Sequence, residues 1–236
     1  MLLEFKTKNY KTFVEEASFS MVAAPKQKGL DYSLMKTKIK GKEIKGLSSS
    51  VIYGPNAAGK TNIIGAMDVL RSIVLRGNIR NSEEKSSPNP AASALELIPN
   101  NNESEAKPVC FEIEFYEEDG EEHKFKIHYE LQIDLGTFLE EEYQRKILAE
   151  VLEVNGERVF ERREGLKVEN LKVIKDYLSD ITEQNAESIN EIAKNSLNQE
   201  ELFLTNGFKL IFSQKFTKLI VDWFANKFMV IYRADS

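Results

Sequence analysis

The chain of 236 residues holds little of what several function classes need. It has one cysteine, Cys110, so no intrachain disulfide and no cysteine-built metal site is available. A reducing compartment, the cytoplasm, is the expected setting. Cys110 stands between Val109 and Phe111, the surroundings of a buried thiol rather than of a nucleophile. There are two histidines, His123 and His128, both in a strand-like stretch where surface or structural roles are expected. No run approaches the ~18 apolar residues of a membrane-spanning helix, so no membrane contact is expected. Met1 to Lys6 carries Glu4 and no long apolar core, so it does not read as a secretory signal. Positive charge is not in excess: 32 Lys and Arg face 38 Asp and Glu, a net charge of −6. Any nucleic-acid contact would therefore rest on a local patch. What is present forms a core. Hydrophobic residues at 42% exclude wholesale disorder, and the length fits one large domain or a compact domain with an insertion.

Periodicity orders the chain into four stretches. Residues 1–76 begin with strands, since Leu3, Phe5 and Thr7 alternate with Glu4, Lys6 and Lys8. Val14 to Met21 returns as a second strand. Residues 25–46 carry seven lysines against Asp31 and Glu43. Lys36, Lys38, Lys40 and Lys42 alternate, so a strand would show them on one face, as a solvated edge or as a phosphate-backbone contact. Val51-Ile52-Tyr53 reads as a short buried strand, and Ile63, Ile64, Met67, Leu70, Ile73 and Val74 predict a helix over 59–76 stopped by Gly77. Residues 77–108, rich in Asn, Ser, Glu and Pro, read as a long loop ordered near Leu95-Leu97-Ile98.

Residues 109–165 read as an antiparallel β meander, with Asp119-Gly120 and Asn155-Gly156 as hairpin turns. Arg162-Arg163 reads as a solvated hairpin end, and Glu140-Glu141-Glu142 as a solvated stretch beside a strand. From about 168 the period turns helical. The stripes are Val173, Ile174, Tyr177, Leu178, Ile181; then Ile189, Ile192, Ala193, Leu197; then Phe216, Leu219, Ile220, Trp223, Phe224, with Trp223 as core. Phe228 to Tyr232 reads as a closing buried strand. There is no internal repeat and no heptad run.

One pattern carries chemistry. Gly54-Pro55-Asn56-Ala57-Ala58-Gly59-Lys60-Thr61 is a P-loop. A glycine-rich turn lets successive backbone N–H groups converge on phosphate oxygens. The helix that follows turns its unpaired N–H groups and positive dipole end toward the same anion. Lys60, the candidate catalytic residue, supplies a point charge for the β- and γ-phosphates. The Thr61 hydroxyl is the candidate Mg²⁺ ligand. A GTPase Asn-Lys-x-Asp is not found: Asn226-Lys227 runs into Phe228-Met229. Arg145, Arg158, Arg162 and Arg163 lie in strand or hairpin settings, not in a lid.

The opening Lys8-Asn9-Tyr10-Lys11-Thr12-Phe13, with Gly-Pro-Asn-Ala-Ala-Gly-Lys-Thr-Asn some forty residues later, resembles the ATPase heads of the SMC, RecF and OLD-nuclease group. These are ABC-type ATPases. The closest likeness is to prokaryotic AAA-family ATPases of abortive infection and phage defence. The resemblance implies an α/β P-loop NTPase fold with an antiparallel β subdomain and a C-terminal helical segment, ending at 236. It implies Mg-ATP as the ligand, held by Gly54, Pro55, Asn56, Ala57, Ala58, Gly59, Lys60, Thr61 and Asn62. Asn56 would lie near the γ-phosphate, and Lys11 and Thr12 beside the nucleotide.

The family's Walker B strand, four apolar residues ending in Asp-Glu, is not found. Leu219-Ile220-Val221-Asp222 runs into Trp223 and fits a helix stripe better. A Ser-Gly-Gly signature and a later switch histidine are also lacking. The expectation is an N-terminal half-head, incomplete by itself. Its partners would be a missing C-terminal half or second head, a homodimer when complete, and an effector protein or nucleic acid. The alternatives are a nucleotide-regulated binding module without turnover, an unrelated P-loop phosphotransferase, and a DNA-binding scaffold resting on the 25–46 lysines.

Overall fold

Alternating apolar residues build most of this molecule. The computed structural model describes residues 1–24, 29, 31–56, 58–80, 95–101, 105–120, 123–138, 143–179, 191, 193–195 and 197–230. Its strands are β1 (Leu2–Lys8), β2 (Ala17–Ser20), β3 (Leu34–Ile39), β4 (Lys42–Leu47), β5 (Val109–Glu118), β6 (Lys124–Asp134), β7 (Lys146–Val154), β8 (Glu157–Arg162) and β9 (Leu166–Val168). Seven of them form one antiparallel sheet in the order β2-β1-β5-β6-β7-β8-β9, and β3 and β4 form a separate hairpin.

The meander and the opening strands are therefore one sheet rather than two units. Phe5 pairs with Ile113 and Thr7 with Phe111. The cause is a shared face: Leu3 and Phe5 continue the apolar row of Phe111, Ile113 and Phe115, all buried. In β6 every second residue from Phe125 to Ile133 is buried, and the polar residues between them occupy the other face. Asn155 and Gly156, at φ 55° and 80°, form the tight turn from β7 to β8.

Two helices cover the apolar face. Helix α1 (Lys60–Arg76) buries Ile63, Ala66, Met67, Leu70, Ile73 and Val74, the i, i+3, i+4 stripe of an amphipathic helix. Gly77, at φ 74°, ends it and donates its N–H to the Ile73 carbonyl. Helix α2 (Gln214–Asn226) starts where the Ser213 hydroxyl accepts from the Phe216 N–H at 2.9 Å. Trp223 stacks on Phe115 with ring centroids 3.9 Å apart, and Phe216 meets Phe125 edge-on at 5.2 Å. Burying each such ring stabilises by about 2–3 kcal/mol. Arg71 of α1 donates to the Phe224 and Ala225 carbonyls at the end of α2, which ties the two helices.

A buried carboxylate fixes the far end of α1. Glu150 of β7 is fully buried and accepts from the N–H groups of Phe203 and Leu204, at 2.6 and 2.9 Å, and from the Tyr129 hydroxyl at 2.9 Å. Arg162 lies 3.9 Å from it and donates to the Glu201 and Asn198 carbonyls. These contacts clamp the start of a π-helical turn (Leu204–Phe208). The clamped stretch returns to α1, since Leu202 N–H and the Asn206 amide both donate to the Gly77 carbonyl.

Several sequence expectations are corrected here. Val51, Ile52 and Tyr53 are not a buried strand. No strand among the described residues pairs with them, and Val51 and Tyr53 are 81% and 91% exposed. Arg162 is buried, because the period of β8 turns it inward while Arg163 stays exposed. Lys36, Lys38, Lys40 and Lys42 do not share a face, because the strand turns at Lys40-Gly41. Lys36 and Lys38 share one face, and Lys42 sits opposite Ile39 on the other. Lys36, Lys40 and Lys45 hold Asp31, Glu157 and Glu43 respectively. Three of the five described lysines of this hairpin are thus paired with acids at short range.

The first helical stripe forms a 3₁₀ stretch (Leu171–Tyr177) rather than an α-helix. Phe228 to Val230 is not a strand, although Phe228 is buried. Ile181, Ile189, Ile192, the acids 140–142 and residues 231–236 lie outside the described residues. Trp223 is core, at 1% exposure. His123 sits between Asp119 and Asp176, 3.3 Å from each, and bridges the β5–β6 turn to the 3₁₀ stretch.

Candidate functional site

The P-loop lies on the rim of the molecule, where α1 meets the turn between β1 and β2. Gly59 sits at φ 83° immediately before α1. That left-handed conformation suits glycine. A Cβ there would also stand 3.0 Å from the Phe13 ring and 3.1 Å from Thr12 Oγ1. The loop and the first turn are therefore packed so closely that any side chain at Gly59 would have to displace Phe13 and Thr12. The N-cap residue Gly59 has no side chain to cap α1, and the helix's positive end faces the loop.

Lys60 folds back over the loop. Its Nζ donates to the Gly54 carbonyl at 2.8 Å and to the Pro55 carbonyl at 2.5 Å. These neutral oxygens are acceptors of the kind a phosphate oxygen replaces with more charge. The lysine is thus already aimed across the loop, and exchanging a carbonyl for an anionic oxygen strengthens its bonds. Asn56 and Ala58 are exposed, and Ala58 N–H closes a turn on the Pro55 carbonyl at 3.3 Å. Ala57 lies outside the described residues. Thr61 is exposed at the first turn of α1, next to the loop.

An open cavity of about 370 Å³ adjoins the loop, lined by Phe13, Phe19, Val51, Tyr53, Gly59 and Lys60 among others. Its apolar wall and cationic floor suit a ligand with both a flat apolar part and an anionic part. The structure brings Thr12 to this site but turns the Lys11 ammonium away to Glu96. Lys11 and Asn9 both hold positive φ, 48° and 52°, on either side of the fully buried Tyr10.

Three participants were not legible in the sequence: Phe13 and Phe19 as cavity wall, and Glu96 as the partner of Lys11. Phe13 closes the opening motif without an assigned role there, and Phe19 carries no motif. Glu96 lies in the loop stretch, and only its position between Leu95 and Leu97, both buried, hinted at an ordered role. Asp222, the acid of the expected but unfound Walker B run, belongs to α2 and pairs with Lys218 one turn earlier. It is therefore not a strand-end acid near the loop. Among the described residues, no group of three or more His, Cys, Asp or Glu is arranged to hold a metal ion.

A left-handed glycine, an uncapped helix start and a lysine aimed across the turn define a P-loop nucleotide-binding domain of mixed α/β structure. The family comparison gives the more particular assignment. Residues 49–206 match the family described as "AAA domain, putative AbiEii toxin, Type IV TA system", and the chain belongs to that family of P-loop ATPase domains. The match spans the P-loop, α1, the meander and the stretch clamped by Glu150. A search of curated proteins found no match. Among the described residues, no helix is long and apolar enough to cross a membrane.

Proposed function

We propose that this chain binds Mg-ATP on the loop 54–61, as the nucleotide-binding half of an SMC/ABC-like ATPase head of the phage-defence type. The observation that carries the reading is the Lys60 ammonium held across the loop, 2.8 Å from the Gly54 carbonyl, beside a Gly59 whose Cβ position is closed by Phe13 and Thr12. In this reading Lys60 bonds the β- and γ-phosphates, backbone N–H groups of the loop cradle them, and Thr61 ligates Mg²⁺. The Mg²⁺ ion supplies charge neutralisation across those phosphates.

Turnover needs an acid that orients water, and the reading assigns it to a further segment or chain. Two findings support that. Asp222 is committed to a helix surface pair with Lys218. Val51 to Tyr53 presents an exposed apolar stretch beside the loop, the kind of surface that a further segment covers. A second head or C-terminal half, and beyond it an effector protein or nucleic acid, are the partners this reading needs.

Calorimetric titration of Mg-ATP into the full chain and into Lys60→Ala, with phosphate release followed in the same samples, tests it. The expected result is binding that Lys60→Ala weakens at least about a hundredfold, as loss of a charged anchor does, without phosphate release. Binding indifferent to Lys60→Ala overturns the site. Lys60-dependent release by this chain alone keeps the site and overturns the assignment of the catalytic acid to another segment.

A further inference from the structure

Asn62 follows the candidate Mg²⁺ ligand, and its side chain is bonded to the turn between β1 and β2. Its Nδ2 donates to Thr12 Oγ1 at 2.8 Å, across 50 residues of sequence. Its own N–H donates to the Gly59 carbonyl at 2.9 Å, so its position is fixed to the loop's last glycine. Thr12 Oγ1 is in turn 3.1 Å from where a Gly59 Cβ would stand. Asn62, Thr12 and Gly59 thus form one closed contact at the edge of the cradle.

The turn carrying Thr12 is anchored firmly on its other side. Lys11 N–H donates to the Ile98 carbonyl at 3.0 Å, the Asn100 amide donates to the Lys11 carbonyl at 2.6 Å, and the Asn9 amide donates to the Lys107 carbonyl at 2.6 Å. Those bonds hold Asn9 and Lys11 in left-handed conformations, which asparagine tolerates and lysine adopts only under constraint. Strain of that kind persists where surrounding contacts over-determine a geometry, and the result here is to press Thr12 against the P-loop.

The hydrogen-bond inventory then sets the direction of the hydroxyl. A threonine oxygen that accepts from Asn62 has one proton left to donate. Directed back at Nδ2 it would meet another donor, so it points elsewhere, and the cradle is the neighbouring space that calls for donors. We propose that Asn62 is a positioning residue: it holds the Thr12 hydroxyl with its proton directed at a phosphate oxygen of the bound nucleotide. This rests on the nucleotide-binding reading above and adds a residue pair to it.

The test is a double-mutant cycle on Mg-ATP affinity in the full chain, read by calorimetry, with thermal unfolding of each variant followed in parallel. Thr12→Val removes the donor and should weaken binding about tenfold, whereas Thr12→Ser keeps the donor and should bind within about twofold of the unsubstituted chain. Asn62→Ala should weaken binding about fivefold. The double variant should bind no worse than Thr12→Val, because Asn62 acts only through that hydroxyl. Losses that multiply, or an Asn62→Ala variant that binds normally while Lys60→Ala does not, overturn the positioning role and leave the nucleotide site standing. An affinity loss matched by an equal loss of thermal stability in Asn62→Ala and Thr12→Val also overturns it, since that marks a merely structural bond. Absence of Lys60-dependent binding in the unsubstituted chain removes both readings together.

Discussion

The clamp at Glu150 and the cradle at Lys60 sit at opposite ends of the same helix and solve opposite problems. Around Glu150 a carboxylate is fully buried and answered by two backbone N–H groups, a tyrosine hydroxyl and an arginine. Around Lys60 a cation is left near solvent and, among the described residues, is answered by two carbonyls of its own loop. One end is complete without a ligand. The other is complete in backbone geometry and incomplete in charge. Helix α1, about 25 Å long at 1.5 Å per residue, separates them. A stable end therefore carries an end that can exchange partners, as a binding loop on a rigid scaffold requires.

The largest test of this contrast is Glu150→Ala. It leaves the N–H groups of Phe203 and Leu204 and the Arg162 guanidinium without their buried acceptor. Stripping one member from a buried ionic cluster costs about 3–5 kcal/mol, which in a chain of this size lowers Tm by on the order of 10 °C. Lys60→Ala should leave Tm nearly unchanged. If the two variants exchange these outcomes in differential scanning calorimetry, the division between structural and functional ends is wrong.

Glu150 also has a pH signature. Burial lifts its carboxyl above the ordinary range, while the N–H groups of Leu204 and Phe203 and the Arg162 charge oppose the rise. A raised folded-state pKa means that the contribution to stability is full below the ordinary glutamate value of about 4.3. It is lost as pH rises through the raised value. Glu150→Gln lacks this dependence. The stability difference between the unsubstituted chain and Glu150→Gln should therefore shift in favour of the glutamine variant as pH rises above about 4.3. A difference that stays constant with pH breaks the assignment.

At the other end, Gly59→Ala sharpens the comparison. The new Cβ adopts a left-handed backbone and meets the Phe13 ring at 3.0 Å. The strain is about 1–2 kcal/mol, a Tm loss of roughly 5 °C. The same Cβ forces Phe13 and Thr12 away from the loop, so Mg-ATP affinity should fall more than tenfold, out of proportion to stability. Unchanged affinity with the full Tm loss would show that the close approach is packing and nothing more.

What the sequence made legible follows the range of the forces involved. The P-loop, α1 and its Gly77 stop are local events, so motif and period placed them within a residue. The meander was legible because β6 alternates without a break. The union of β1 with β5 was not, since pairing across more than 100 residues leaves no local mark beyond a matching apolar face. Arg162 was misplaced because two adjacent arginines look alike until the strand period assigns one of them inward. Glu150 had a signal that went unread: a lone acid among Leu148, Ala149, Val151 and Leu152. Val51 to Tyr53 reads as buried because apolar runs usually are, and burial depends on a neighbour that local pattern does not supply. At the site, the P-loop residues themselves were legible, whereas the Glu96 partner of Lys11 and the tie between Asn62 and Thr12 arise only when distant segments meet.

The smallest expected effect tests whether closure of the sheet end extends to its outer face. Cys110 lies near the start of β5, half-buried, and burial foremost, with the Glu130 charge next, pushes its thiol up to about 11. At pH 8 that leaves about a hundredfold less thiolate than an ordinary cysteine with pKa near 8.5. A thiol-reactive disulfide reagent should therefore modify the native chain at least about a hundredfold more slowly than the chain unfolded in denaturant. Mg-ATP should not change the native rate, because the P-loop lies on another part of the molecule and β5 is held on both sides by β1 and β6. A native rate equal to the unfolded one would mean that the strand opens readily. The contrast between a closed sheet and an exchangeable loop would then narrow to the immediate surroundings of Glu150.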